Sequence, residues 1–341
     1  MASITYVGLD VHKKIIAYCI KTKSGRIREE GVVNATRRAL TQWVKTLKHP
    51  WIGALEATLF TGWVYDHLKP HARELKVAHP LMLKAIVAGK KKNDKIDARK
   101  IADLLRCDLI PECYMAPTEI RQLRRVLRYR NLVVRQTVKM KNKISGLLME
   151  VGAEYNKGRL HGRRYFNELL GNLEDVPDSV IELLQISRSS MDMFVAVQRR
   201  LLDKLHTDEA LRERVERLMT IPGVGQITAL TWALEIGDPN RFSSIQHAVS
   251  YCGLCSAQKQ SAGKDKRTPL SKQRNAHLQT ILVETAKLAP RWNPQLAMVY
   301  EREIKRGNRN RATLAVARKL VAYLLAVDKN QRDFELVEEA A

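Results

Sequence analysis

The sequence predicts an α/β domain at the N-terminus and a mainly α-helical remainder. Short apolar runs rich in β-branched residues, typical of strands, are confined to the first third of the chain. Over about residues 117–218, apolar residues recur at helical spacing and strand alternation is missing. A Pro-Gly-Val-Gly turn opens the last part. We expect three domains and a tail, at 1–116, 117–218, 219–330 and 331–341.

The N-terminal segment has a specific order of strand and helix patterns. ITYVGLDVH, IIAYCIKT and IREEGVVNA, with a turn at Ser24-Gly25, predict two or three consecutive antiparallel strands with a hairpin. TRRALTQWVKTLK has apolar residues at i, i+3, i+4 and i+7 and predicts a helix. WIGALE and ELKVA add two strands, and helical patterns follow each of them. This order is that of an RNase H-like layer fold.

The middle segment predicts long helices. EIRQLRRVLRYRNLVVRQTVKMKNKISGLLMEVG places Leu123, Leu127 and Val134 on one apolar stripe. A loop rich in glycine and arginine follows, and then a second helix pair over about 180–219. Long helices joined by a loop predict an antiparallel coiled coil or bundle.

The last segment contains a turn, a polar stretch and two helices. The Pro222–Gly225 turn lies between helical runs and predicts a helix–hairpin–helix, whose backbone N–H groups can face a phosphate. SAGKDKRTPLSKQRN, residues 261–275, is polar, basic and rich in turn formers, so it predicts a surface loop. HLQTILVETAKLA and RATLAVARKLVAYLLAV predict the closing helices.

The composition favours a polyanionic partner. Lysine and arginine total 59 against 36 acidic residues, a formal net charge of +23, and such a surface attracts nucleic acid. No apolar run approaches the roughly 18–20 residues of a spanning helix, and MASITYVGLDVHKK does not resemble a secretory signal. We therefore expect a cytoplasmic protein without a membrane partner.

The cysteines indicate a reducing compartment. Their number, five, is odd and their spacing is irregular, which argues against a disulfide framework. Cys252 and Cys255 form a lone C-x-x-C, for which a structural role and a metal site both remain open.

Four carboxylates lie where metal ligands would be expected. Asp10 ends the apolar strand TYVGLD and Glu56 ends WIGALE; an acid at the end of a buried strand is costly unless it is paired or binds a metal. Asp94 and Asp97 share one helix face among seven basic residues between 84 and 100. These positions converge in an RNase H-like sheet, where four carboxylates could hold two divalent ions about 4 Å apart. Helix caps, edge-strand charges and neutralisation by nearby lysines are the alternatives.

The order of these acids, with the C-terminal blocks IPGVGQITALTWALEIGDPNRF, AVSYCGL and SKQRNAHLQTIL, resembles the DEDD transposases of insertion-sequence family one-ten, including the one-one-one-one subgroup. The resemblance covers nearly the full chain. It implies a RuvC-like N-terminal domain in which Asp10, Glu56, Asp94 and Asp97 bind metal, two Mg²⁺ or else Mn²⁺ ions.

The resemblance also implies a serine nucleophile in the C-terminal domain. Ser261 occupies the matching position, and Ser256 and Ser271 are the nearest competitors. A serine hydroxyl needs activation by a base, a metal or a charged neighbourhood. Lysines and an arginine in the same stretch could bind the scissile phosphate, namely Lys264, Lys266 and Arg267.

Nucleic-acid contacts are predicted on the basic helix, which carries nine cations and no acid between residues 121 and 145. The candidate phosphate ligands are Arg121, Arg124, Arg125, Arg128, Arg135 and Lys139, with Lys272 from the C-terminal stretch. Three aromatic residues could stack on bases or pack in the core, namely Tyr129, Tyr165 and Phe166.

The resemblance implies further partners. A structured non-coding guide RNA would pair with donor and target DNA, and a homodimer or homotetramer would share a composite active site. The implied protein is an RNA-guided, nucleoid-associated bacterial DNA recombinase. The alternatives are a RuvC-like Holliday-junction nuclease, which needs the acids but not Ser261, and a nucleic-acid-binding scaffold, which needs only the basic helices.

Overall fold

The computed structural model describes residues 4–86, 93–261 and 264–335, with the backbone alone at 257–261 and 264–268. The chain divides into two compact units, Met1–Thr118 and Glu119–Ala341. The division of the second unit at residue 218 stays a prediction. The predicted tail falls partly outside the described residues.

A mixed five-stranded sheet forms the centre of the first unit. Its strands are β1 (Thr5–Val11), β2 (Ile15–Lys21), β3 (Ile27–Asn34), β4 (Trp51–Glu56) and β5 (Glu74–Ala78). Their order in the sheet is β3-β2-β1-β4-β5. The first three strands are antiparallel, whereas β4 pairs parallel with β1 and β5 pairs parallel with β4. The predicted α/β unit is therefore confirmed, and the sheet is compatible with an RNase H-like domain.

Helices cover both faces of this sheet. They are α1 (Arg37–Val44), α2 (Thr61–Leu68), α3 (Pro80–Ile86) and α4 (Asp94–Arg106). Val7 and Leu9 of β1 belong to the core cluster that contains the buried side chains of α1 and α2. Ala54 of β4 instead packs with Ile101 of α4. Because side chains alternate between the faces of a strand, β1 presents Gly8 and Asp10 to the α4 side.

Two long helices begin the second unit and run antiparallel. The helices of this part are α5 (Thr118–Glu150), α6 (Arg163–Gly171), α7 (Asp178–His206) and α8 (Glu209–Met219). Gln198 of α7 donates to Thr137 of α5 at 2.6 Å, while Leu148 near the end of α5 clusters with Leu184 near the start of α7. Coiled-coil packing of the knobs-into-holes type stays a prediction.

The largest core lies in the C-terminal part. It is built from α9 (Gln226–Ile236), α10 (Ile245–Tyr251), α11 (Ala276–Leu288), α12 (Pro294–Arg306) and α13 (Arg309–Asn330). Every residue of α9 from Thr228 to Ile236 is buried, as expected of a helix that is apolar on nearly all sides.

A β-hairpin replaces the surface loop that the sequence predicted. Strands β6 (Ser256–Ser261) and β7 (Lys264–Leu270) pair antiparallel. The stretch is polar, and its glycine, proline and serine residues favour turns. Most of it nevertheless forms backbone hydrogen bonds between two strands, which such a composition does not indicate. The prediction of a loop was wrong for this part.

The turn before α9 depends on a glycine. Gly223 has φ +90°, a left-handed conformation that glycine adopts at no steric cost. A β-carbon there would also lie 2.7 Å from the Ala289 Cα. Helices α8 and α9 flank this turn as predicted; its contact with phosphate stays a prediction.

Candidate functional site

The carboxyl ends of β1 and β4 place two acids side by side. Leu9 and Leu55 are partners in the parallel ladder, and Asp10 and Glu56 each follow by one residue. Residues at equivalent ladder positions project from the same face of a sheet. Asp10 and Glu56 therefore both lie on the α4 side, where Asp10 is only 8 % exposed and Glu56 is half-buried.

Helix α4 brings two more acids to this edge. Asn93 caps the helix by accepting a hydrogen bond from the Lys95 N–H at 3.0 Å. Asp94 and Asp97 lie in its first turn, where the helix dipole favours negative charge. Close packing is possible because residue 8 is glycine: a β-carbon there would lie 2.5 Å from the Ala102 nitrogen.

Asp10, Asp94 and a histidine form a compact group of possible ligands. The His12 Nε2 lies 3.0 Å from the Asp10 Oδ2 and 3.4 Å from the Asp94 Oδ1. One ligand atom from each of the three residues lies within 4.8 Å of the others. Two carboxylates and an imidazole suit a divalent cation, so these residues fit the metal that the acids predicted.

The electrostatics of the group also favour a cation. Burial raises the pKa of Asp10 above its ordinary value; His12 opposes this rise, and the charges of Asp94 and Asp97 add to it. Asp97 is therefore close enough to act on Asp10, although its own ion pair is with the Lys100 Nζ at 3.6 Å. A bound divalent cation would relieve the repulsion among the carboxylates.

The four predicted ligands thus lie on one edge of one unit, but not equally close together. Asp10 and Asp94 are in the compact group, and Asp97 is near it. Glu56 ends the adjacent strand, and its backbone carbonyl accepts a hydrogen bond from the Thr61 hydroxyl at 3.0 Å. His12 was not predicted. The signal was present, because a residue two positions after Asp10 lies on the same side of an extended chain.

The predicted nucleophile lies in the other unit. Ser261 is the last residue of β6, and its ladder partner is Lys264, the first residue of β7. Lys266 and Arg267 also belong to β7. Ser256 begins β6, and the Ser271 N–H donates to the Cys255 carbonyl at 3.1 Å, which closes the base of the hairpin.

Two of the predicted phosphate ligands contact a buried carboxylate instead. Glu235 of α9 has no exposed side-chain surface. The Arg128 Nε and Nη2 donate to its two oxygens at 2.7 and 2.8 Å, and the Asn275 amide donates at 2.8 Å. The Arg124 Nε lies 3.8 Å from a Glu235 oxygen and donates to the Leu234 carbonyl at 2.8 Å. These contacts give Arg124 and Arg128 a structural role that the sequence analysis missed.

The remaining basic residues of α5 differ in exposure. Arg125, Arg135 and Lys139 are exposed, and Arg121 is half-buried. Lys272, just after β7, is exposed. Of the aromatic candidates, Tyr129 is 56 % exposed whereas Phe166 is 2 % exposed and packs in a core. Tyr165 packs against the same core. Tyr129 is therefore the most exposed of the three aromatic candidates, and its stacking on a base stays a prediction.

The cysteine pair is partly inaccessible. Cys252 is buried and Cys255 is half-buried; burial raises the pKa of the Cys252 thiol to about 12. Within the described residues, neither belongs to a group of three possible metal ligands. In the same part of the chain, no helix has the length and apolarity to cross a membrane.

Two family models match the chain. One, described as a transposase and named for the DEDD acids and IS110, matches residues 7–152. The other, described as the transposase IS116/IS110/IS902 family, matches residues 215–301. The first match contains the four acids and His12, and the second contains the hairpin with Ser261.

Curated relatives agree with these matches. The transposase for insertion sequence element IS1328 of Yersinia enterocolitica is 27% identical over 84% of this chain and 84% of its own length. The transposase for IS1111A of Coxiella burnetii is 25% identical over 98% of this chain and 92% of its own length. A pilin gene-inverting protein of Moraxella lacunata is 22% identical over 98% of both chains.

Proposed function

Because this chain belongs to the IS116/IS110/IS902 family of transposases, we propose that it recombines DNA by metal-dependent strand cleavage and exchange through a serine–DNA intermediate. The observation that carries the proposal is the group of Asp10, His12 and Asp94 at the carboxyl end of β1. It lies within the residues that match the DEDD transposase model.

The acids of the first unit hold the divalent ions. Asp10 and Asp94 supply the central ligands, with Asp97 and Glu56 on the same edge of the sheet. Ions held there would stabilise the attacking and leaving oxygens of a phosphodiester exchange; Mg²⁺ would suit the carboxylate and phosphate oxygens, and Mn²⁺ would suit the same set. The close packing of α4 on Gly8 supports the proposal, because it brings the first turn of α4, with Asp94, toward Asp10.

Ser261 provides the attacking oxygen. Its hydroxyl loses a proton and forms a bond to phosphorus, while the bond from phosphorus to a deoxyribose oxygen breaks and a DNA hydroxyl is released. Attack by a hydroxyl of the other DNA strand then releases the serine and joins the new strands. No external energy source is needed, since the number of phosphoester bonds stays constant. Lys264, Lys266 and Arg267 counter the phosphate charge.

The family resemblance supports a homodimer or homotetramer with a composite active site that is made by more than one copy of the chain. A structured guide RNA selects the DNA sequences. The net charge of +23 and the exposed cations of α5 suit such a polyanion.

A denaturing gel tests this function. Labelled DNA with the element ends is incubated with the full chain, its copurified RNA and Mg²⁺, and we expect a covalent protein–DNA adduct. The adduct disappears in Ser261→Ala and without a divalent ion, and it persists in the matched variants Ser256→Ala and Ser271→Ala.

Other outcomes point to other functions. Cleavage that survives Ser261→Ala but not Asp10→Asn identifies a nuclease of the Holliday-junction type. If the adduct is lost in Ser256→Ala or in Ser271→Ala instead, that serine and not Ser261 is the nucleophile. DNA binding without cleavage, whatever the ion or variant, identifies a nucleic-acid-binding scaffold and overturns the proposal.

A further inference from the structure

We propose that His12 is a direct ligand of the divalent ion held by Asp10 and Asp94, so that the site combines oxygen donors with one imidazole nitrogen. This inference rests on the proposed function, because it concerns the same metal site. It adds a donor of another chemical type, which changes the ions that the site prefers.

The distances suit a ligand. An ion with six ligands at roughly 2.1 Å holds adjacent ligand atoms roughly 3 Å apart. The His12 Nε2 lies 3.0 Å from one Asp10 oxygen and 3.4 Å from one Asp94 oxygen. The His12 nitrogen therefore has the spacing of a neighbouring ligand position to each of the two carboxylate oxygens, and all three ligand atoms lie within 4.8 Å of one another.

The backbone holds His12 in place. Its N–H donates to the Ile15 carbonyl at 2.9 Å, which closes the turn between β1 and β2. The His12 side chain therefore starts from a fixed backbone position, two residues after Asp10. Its side chain is 46 % exposed, so a hydrated ion can reach the nitrogen from solvent.

A simple ion pair is the competing explanation. A protonated His12 between the two carboxylates would balance their charge without any ion. The two explanations differ in the nitrogen: a metal ligand must present a lone pair to the ion, whereas a counter-charge must hold a proton there. Spectroscopy of the bound ion can distinguish them.

An imidazole ligand changes ion preference. Mg²⁺ takes oxygen ligands, whereas imidazole binds first-row transition ions, with affinity rising from Mn²⁺ to Co²⁺. His12 should therefore raise the affinity for Mn²⁺, and more so for Co²⁺, relative to Mg²⁺. The substitution His12→Gln should weaken Mn²⁺ binding about tenfold or more and Mg²⁺ binding much less.

Pulsed electron paramagnetic resonance of bound Mn²⁺ tests the ligand directly. The full chain is loaded with Mn²⁺, and we expect modulation from a coordinated nitrogen that changes when histidine is labelled with ¹⁵N. This readout uses the unaltered protein, so it does not depend on any variant folding. The signal should vanish in His12→Gln and persist in His71→Gln, an exposed histidine of the same unit.

The outcomes separate the two levels of the proposal. Mn²⁺ that binds in an Asp10-dependent way without nitrogen coupling overturns the role of His12 and leaves the carboxylate site intact. If the substitution Asp10→Asn changes neither the Mn²⁺ affinity nor the Mg²⁺ affinity, the metal site is overturned, and the proposed function is overturned with it. Nitrogen coupling that persists in His12→Gln overturns the assignment to His12.

Discussion

Gly8 of β1 and Ala102 of α4 lie so close that a β-carbon on residue 8 would stand 2.5 Å from the Ala102 nitrogen. This contact sets how near the helix lies to the sheet. Asp10 follows Gly8 by two residues on the same face, and Asp94 lies two helical turns before Ala102. The spacing between these acids therefore depends on a residue that has no side chain.

Gly8→Ala should lower both stability and metal affinity. The added methyl group forces the helix away from the strand, and overpacking of this kind typically costs about 1–3 kcal/mol. Urea unfolding measures the free energy, and Mn²⁺ titration measures the affinity.

Gly146→Ala is the matched control for this substitution. Gly146 lies within α5, and a β-carbon there would meet nothing within 4 Å. Alanine in a helix interior is favoured over glycine by about 1 kcal/mol, so this variant should be slightly more stable. Equal effects of the two substitutions would contradict the role of the Gly8 contact.

Asp10→Asn and Asp94→Asn should each abolish strand cleavage and weaken divalent-ion binding. Each amide keeps the shape of the side chain but removes the negative charge that the ion needs. The rate should fall at least about a hundredfold. Calorimetry with Mg²⁺ and the cleavage assay measure the two effects.

Asp108→Asn provides the control for the acids. Asp108 has a side chain that is 88% exposed and pairs with the Lys76 Nζ at 3.1 Å, and a surface pair of this kind is worth little. Its backbone has φ 55°, a conformation that asparagine tolerates well. We expect this variant to bind metal and cleave DNA normally; the same loss as in Asp10→Asn would show that the charge change acts nonspecifically.

Replacing exposed cations of α5 should weaken nucleic-acid binding without unfolding the chain. Each of Arg125→Ala, Arg135→Ala and Lys139→Ala removes one phosphate contact. Each should reduce the slope of the logarithm of the binding constant against the logarithm of the salt concentration by about one. Fluorescence anisotropy over a range of salt concentrations measures this slope. An unchanged slope in all three variants would place the nucleic acid on another surface.

Arg128→Ala should act on stability instead. It leaves the buried Glu235 carboxylate without its bidentate partner, and a buried acceptor that loses its partner costs about 1–3 kcal/mol. Arg125→Ala, three residues earlier and exposed, should cost little. Denaturant unfolding of the two variants gives the comparison; equal stabilities would remove the structural role of Arg128.

The same ion pair predicts a pH dependence of stability. Burial acts to raise the pKa of Glu235, but hydrogen bonds and charge from Arg128, with smaller contributions from Asn275 and Arg124, outweigh it and hold the pKa below the ordinary value of 4.5. The stabilisation is complete above pH 4.5 and is lost as the pH falls through the lowered value. Glu235→Gln should flatten this part of the unfolding curve against pH; an unchanged slope would show that Glu235 does not contribute.

The sequence predicted the helices and strands of the first unit better than it predicted the tertiary contacts of individual side chains. Strand and helix periods are local, so the order of elements in the first unit could be predicted. Arg128 was predicted to bind phosphate because it lies on a basic helix. Its contact with Glu235 was not predicted, because Glu235 is distant in sequence and shows no local signal. In α5 the predicted stripe included Leu127, which is buried, and Val134, which is not; next to Val134 the buried residue is Val133. The buried face of a helix depends on the element packed against it, which the local sequence does not show.

The candidate metal site could be predicted only in part, because some of its residues carry a local signal in the sequence and others do not. Acids at strand ends are unusual in any sequence, and Asp10 and Asp94 do converge. His12 was overlooked because a histidine beside lysines resembles an ordinary surface residue. The sequence predicts a loop where the hairpin with Ser261 forms, because the pairing of two polar strands leaves little pattern in the sequence.

Anomalous diffraction from crystals grown with Mn²⁺ tests most directly whether the N-terminal acids hold the catalytic ions. We expect an anomalous peak within bonding distance of the Asp10 and Asp94 carboxylates, and its loss in crystals of Asp10→Asn. Mn²⁺ peaks only at other places, in a protein that still forms the covalent DNA adduct, would contradict the central role of this site.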